Sequence, residues 1–136
     1  MIWRGGFAGI LALTGVAAMA EDGFAGVAGD WQVTEIAGSA VPETAEVTLV
    51  IDAGGRIGGT GGCNAYGGQI TAGPGLAVSI GEVIRTMMFC QETMEIEDSY
   101  LRALEGADQM GVAADGRLVL MAGGRVAVLA RPVPAP

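Results

Sequence analysis

The chain has 136 residues, 51% of them hydrophobic and 16% charged, with 24 Gly, 2 Trp, 2 Tyr and 3 Phe, a balance that argues for one folded domain and against disorder. Seven Arg and no Lys against 15 acidic side chains leave a net charge of −8, so the basic footprint needed to grip a phosphate backbone is missing and nucleic acid is not an expected partner. There is no His, which removes the Ser-His-Asp triad, the Cys-His pair, the His-ligated zinc and the imidazole base.

Residues 1–20 (MIWRGGFAGILALTGVAAMA) carry Arg4, an apolar run and small residues at Ala18 and Ala20. This is a secretory signal pattern, and a run of about 12 apolar residues is shorter than the roughly 20 that span a bilayer. Cleavage after Ala20 would leave an exported, acidic protein, periplasmic if the cell is Gram-negative. The first Cys is Cys63, far from any such cleavage point, so no lipid anchor is expected.

Residues 21–29 read as a short Gly/Ala-rich leader, 30–131 as the domain, and 132–136 as a Pro-rich tail; the run from Arg131 to Pro136 is not expected to continue a strand. Asp30–Ile36 alternates as a first strand and Glu46–Asp52 forms a second. Ala53-Gly54-Gly55 then turns the chain into Arg56–Gly61, and the same Gly-then-Arg device recurs before Arg117–Met121 and before Arg125–Leu129. Ala65–Ala72 and Gly75–Gly81 are further strand candidates around Gly73-Pro74. Only Gln91–Glu105 changes period: Gly and Pro vanish, and Ile96, Tyr100, Ala103 and Leu104 recur at helical spacing with Gly106 as the stop. Seven or eight short strands and one helix predict an α+β fold, an antiparallel sheet or cracked barrel with the helix packed against it.

Export gives the two cysteines a meaning, because thiols pair in an oxidising compartment. A Cys63–Cys90 disulfide would close a loop of about 28 residues and contribute roughly 3.5 kcal/mol in the chain-entropy model. Two buried free thiols, or a functional thiol, are the competing readings.

Chemistry-bearing groups are few. Gly61-Gly62-Cys63-Asn64 could cradle a phosphate, but no Lys follows and the charge is wrong; Gly and Asn as turn formers explain the run. Met87, Met88, Cys90 and Met94 form a sulfur cluster of the kind that suits Cu(I), against which stands the role of Met as core filler, so no metal is assigned. Glu92, Glu95, Glu97 and Asp98 are explained as a solvated helix start that matches the macrodipole, with Asp98 four residues ahead of Arg102. No catalytic residue and no cofactor is expected, since Ser39, Ser79 and Ser99 have no base to activate them. Trp31, Tyr66, Phe89 and Tyr100 are expected in the core or at its rim.

Three stretches in order carry a resemblance: Trp31 opening the first strand, Gly61-Gly62-Cys63-Asn64-Ala65-Tyr66-Gly67-Gly68, and Thr86-Met87-Met88-Phe89-Cys90 followed by Glu97, Tyr100, Leu101 and Leu104. Together they resemble the META domain, or HslJ-like heat-shock protein family. The resemblance implies that Trp31, Gly62, Asn64, Tyr66, Gly67, Thr86, Met88, Glu97, Tyr100 and Leu104 are structural positions. It also implies a non-enzymatic protein of envelope or heat-stress tolerance. Such a protein would work by binding a protein partner, or an apolar ligand held between sheet and helix; the alternative is a small inhibitor or accessory module for an extracytoplasmic enzyme.

Overall fold

A computed structural model describes residues 24–134; the expected signal peptide at 1–20 and the last two residues lie outside them. Among the described residues, ten strands and one helix follow in chain order: β1 Gly29–Ile36, β2 Ser39–Ala40, β3 Thr48–Ile51, β4 Arg56–Thr60, β5 Ala65–Ala72, β6 Val78–Ile80, β7 Ile84–Arg85, α1 Met94–Gly106, β8 Gln109–Val112, β9 Leu118–Ala122 and β10 Arg125–Pro132. The sheet is antiparallel, ordered β6-β5-β4-β3-β1-β10-β9-β8, with β2 on β1 and β7 on β5. Its two ends meet: the Val78 amide donates to Asp108 O, the Met110 amide donates to Leu76 O, and Ala77 bridges Gln109. The result is the expected α+β fold, a nearly closed barrel with one helix.

Each Gly-then-Arg turn closes a hairpin. Gly123-Gly124 joins Ala122 to Arg125 as a two-residue turn with positive φ at both positions, the geometry that matches strand twist. At the β3–β4 turn, Asp52 Oδ1 accepts from the Gly54 and Arg56 amides. The turn before Arg117 revealed its exit strand but not its entry: β8 (QMGV) is short and carries Gly, so it has no strand pattern of its own and forms by pairing with β9.

Both expected domain ends are corrected. The described part of the leader, from Phe24 on, is part of the core, since Phe24 and Val27 are buried and Val27 O accepts the Trp31 indole N–H at 2.9 Å. The tail does continue a strand: Pro132 pairs with Trp31, and the Val133 amide donates to Asp30 O. β9 ends opposite Ala130, so Pro132 has a strand neighbour on one side only, where the missing N–H is tolerated.

The helix buries Glu97, Tyr100, Leu101 and Leu104 against the barrel. This face is rotated from the expected one, leaving Ile96 and Ala103 at its half-buried margins. The hydrophobic stripe alone pointed elsewhere because one member of the true stripe is a carboxylate. Leu104 is fully buried among the core side chains. Leu104→Ala is expected to cost about 2–5 kcal/mol in denaturant unfolding, and a loss below about 0.5 kcal/mol would contradict its placement.

Candidate functional site

Glu97 lies one turn into α1, directly beneath the turn between β4 and β5, and its side chain is 0% exposed. Leaving a carboxylate in such a place costs several kcal/mol unless it is fully hydrogen-bonded. Oε1 accepts from the backbone amides of Cys63 (3.0 Å) and Asn64 (2.6 Å). Oε2 accepts from Asn64 Nδ2 at 2.7 Å and from Arg85 Nη1 at 2.9 Å. Burial pushes the Glu97 carboxyl upward, but the donors from Asn64, Cys63 and Arg85 outweigh it and hold its pKa below the usual carboxylate value. The expected solvated role of Glu97 is therefore corrected, while Glu92, Glu95 and Asp98 are exposed as expected. Asp98 pairs with Arg85 at 2.9 Å, so Arg85 takes the place expected of Arg102.

Asn64 extends this network into the loop 86–90. Its Oδ1 accepts from Thr86 Oγ1 and from the Met88 amide, both at 2.7 Å, and its Nδ2 donates to Met88 O at 3.0 Å as well as to Glu97. All four hydrogen-bonding positions of the side-chain amide are used. The Thr86 amide donates to Ala65 O, and Cys90 is disulfide-bonded to Cys63 with Cα atoms 5.8 Å apart. The sulfur cluster thus has no thiolate to offer, although Met87, Met88 and Met94 do line one groove of about 210 Å³ with Asn64 and Phe89.

The glycines around this turn serve either a left-handed backbone or close approach. Gly62 has φ +115°, and a Cβ there would meet only ordinary contacts with Thr93. A Cβ on Gly61 would sit 3.0 Å from Glu97 Cγ, so that glycine leaves room for the carboxylate. Gly59, just before the turn, has φ +145°, and a Cβ there would fall 2.4 Å from Thr48 O. Gly67 lies within β5, between Gly58 of β4 and Ile84 of β7.

Beneath the network, the Tyr66 and Tyr100 hydroxyls lie 2.6 Å apart, with Tyr66 Oη donating to Thr48 O at 2.8 Å and the rings packed edge to face. Burial raises both phenol pKa values, so both stay neutral. Trp31, Tyr66 and Tyr100 are core aromatics as expected.

Phe89 is not. It is 76% exposed, and on the same segment Ile84 is 71%, Met87 89% and Met88 57% exposed. Every anchor of this segment is a backbone group, a polar side chain or the disulfide, so its apolar side chains are turned to solvent. Sequence reasoning missed this surface because apolar residues next to a cysteine read as core; the signal was the absence of either a 2- or a 3.6-residue period across residues 84–90.

The family model for the META domain matches residues 25–133. The chain belongs to the META domain family. The META domain here is also similar to the NMR structure of a protein from Burkholderia xenovorans, at 26% identity over 79% of this chain and 83% of that one, with a TM-score of 0.63. No curated protein is similar enough to count as a match.

In Glu97→Gln an amide N–H₂ must face groups that already donate, and the variant is expected to lose about 3–5 kcal/mol in denaturant unfolding. Because the folded pKa of Glu97 lies below its unfolded value of about 4.3, its stabilisation is complete above that pH and is lost as pH falls through the folded pKa. The acid limb of the stability profile should therefore be shallower in Glu97→Gln than in the wild type; identical limbs would contradict the network. Gly62→Ala is expected to cost about 1–2 kcal/mol from strain alone, and Gly59→Ala more than about 3 kcal/mol because it also meets backbone. Calorimetry or denaturant melts showing the reverse order would contradict these placements.

Proposed function

We propose that this exported META domain works without catalysis, by seating the apolar loop 84–89 in a groove of a partner protein, in tolerance of envelope or heat stress. The observation that carries the reading is the exposure of Ile84, Met87, Met88 and Phe89 on a segment held from beneath by Asn64. Exposed apolar side chains gathered on one anchored segment mark an interaction surface. The core beneath α1 supports the same reading, since Tyr100, Leu104, Leu118, Leu120 and Val128 are all buried in one cluster there, which makes an apolar ligand held in that core the weaker case. Glu97 has its four acceptor positions occupied, which leaves it unsuited to proton transfer.

Charge narrows the partner. Glu82, Glu92, Glu95 and Asp98 are exposed near the loop in sequence or along α1; of the two cations there, Arg85 is already tied to Glu97 and Asp98, which leaves Arg102 against the acids. A groove that is apolar at its floor and lined by Lys or Arg at its rim is complementary. Residence in an oxidising compartment, the periplasm if the cell is Gram-negative, accords with the disulfide. A preorganised loop fixed at its base also suits an inhibitor or accessory module for an extracytoplasmic enzyme, because little entropy is lost when it docks.

A photo-crosslinking residue placed in cells at Met87 or Phe89 is expected to give one discrete protein adduct that weakens at high salt and is absent from the same probe at Val126 in the β9–β10 turn region. A lipid-sized adduct, no adduct, or equal adducts from both sites would contradict the proposal. An adduct that proves to be an enzyme would select the inhibitor reading.

A further inference from the structure

The loop holds a second kind of chemistry, which follows from where the methionines stand. Met110 is buried and Met94 and Met121 are half-buried, while Met87 and Met88 are 89% and 57% exposed. Met88 is fixed through both its amide and its carbonyl to Asn64, and Cys90 is fixed to Cys63, so these side chains have no route back into the core while the network holds. Two thioethers are thus kept in solvent beside Phe89, on a chain whose cysteines are already oxidised and cannot compete for an oxidant.

We infer that Met87 and Met88 form a reversible oxidation site whose sulfoxides turn the apolar loop polar. The oxidant class is a hydroperoxide. A sulfur lone pair attacks the outer peroxide oxygen, the S–O bond forms as the O–O bond breaks, and the departing hydroxide takes up the proton left on the transferred oxygen. The thioether loses two electrons to become a sulfoxide, and hydrogen peroxide is reduced to water. Return requires a dithiol sulfoxide reductase: two thiols give up two electrons to form a disulfide, and the sulfoxide oxygen leaves as water. Each sulfoxide places a strong acceptor on a surface suited to an apolar groove, so oxidation weakens whatever docks there. This regulatory role rests on the docking proposed above; the modification itself does not.

The test uses the folded, disulfide-intact protein and hydrogen peroxide. Cleavage after Arg85 and Arg102 releases residues 86–102 for mass mapping once the disulfide is reduced. Met87 and Met88 are expected to gain oxygen at least about tenfold faster than Met110 and Met121, because oxidation follows exposure. The neutral dye Nile red is expected to lose binding as they do, and to regain it after treatment with the two epimer-specific sulfoxide reductases. The variant Met87→Leu/Met88→Leu keeps the surface apolar and is expected to bind the dye equally with and without peroxide. Equal oxidation rates at Met110, dye binding that ignores sulfoxide formation, or failure of the reductases to restore it would overturn the inference. If selective, reversible oxidation is seen but the Phe89 crosslinker yields no protein adduct, the docking proposal falls and the oxidation site stands. An adduct that persists on the doubly oxidised protein leaves docking intact and removes the switch.

Discussion

A carboxylate stripped of water has to be hydrogen-bonded on every side, and Glu97 meets that demand by drawing two separated segments, the turn after β4 and β7, onto the helix. The turn after β4 supplies two backbone amides, β7 supplies a guanidinium, and Asn64 supplies a side-chain amide. None of these donors is on the helix that carries the acid. Docking α1 against the barrel is therefore coupled to the shape of the turn: Gly61 leaves room for the carboxylate, Gly62 supplies the left-handed backbone, and Gly59 lets β4 pass close to Thr48. The network stabilises less through the attraction itself than through the penalty for breaking it, since any missing partner leaves charge or a polar group buried and unpaired.

Asn64 passes the constraint outward. Its remaining positions hold Thr86 and both backbone groups of Met88, and the neighbouring Cys63 holds Cys90. A loop of this kind, with a stretch of apolar side chains and only the two-residue strand β7 within it, would otherwise collapse onto the nearest apolar surface. Held instead by polar anchors along its inner side, it keeps Ile84, Met87, Met88 and Phe89 outside. Rigidity in the base and apolarity at the tip are the two properties that binding through preformed surfaces requires, because neither conformational entropy nor buried polar groups then oppose association.

Much of this fold was legible along the chain. Gly-Arg turn exits marked the hairpins, and β5 was bounded correctly, because local turn chemistry and alternation decide those features. β2, β7 and β8 were not legible: each is two to four residues long and exists only because a partner strand is already in place. Phe24 and Val27 were hidden in a Gly/Ala-rich stretch with no period, and only the Trp31 indole bonded to Val27 O explains why that stretch stays on the barrel. Asn64, Glu97 and Thr86 were named through a family resemblance as structural positions. Their joining in one network could not be read from spacing, since Asn64 and Glu97 lie 33 residues apart. Acidic residues at a helix start are ordinarily solvated, which is why Glu97 was placed with its neighbours in water.

Native-state hydrogen exchange at the Cys63, Asn64 and Met88 amides tests the central claim most directly, because each of the three donates into the network and not into a strand ladder. If the network is the constraint on which the turn, the helix and the loop depend, all three amides exchange only through global unfolding, with protection matching that of core strands such as β3 and β10. Fast, subglobal exchange at Met88 alongside protected strands would show that the loop moves free of its anchor, and would contradict the account.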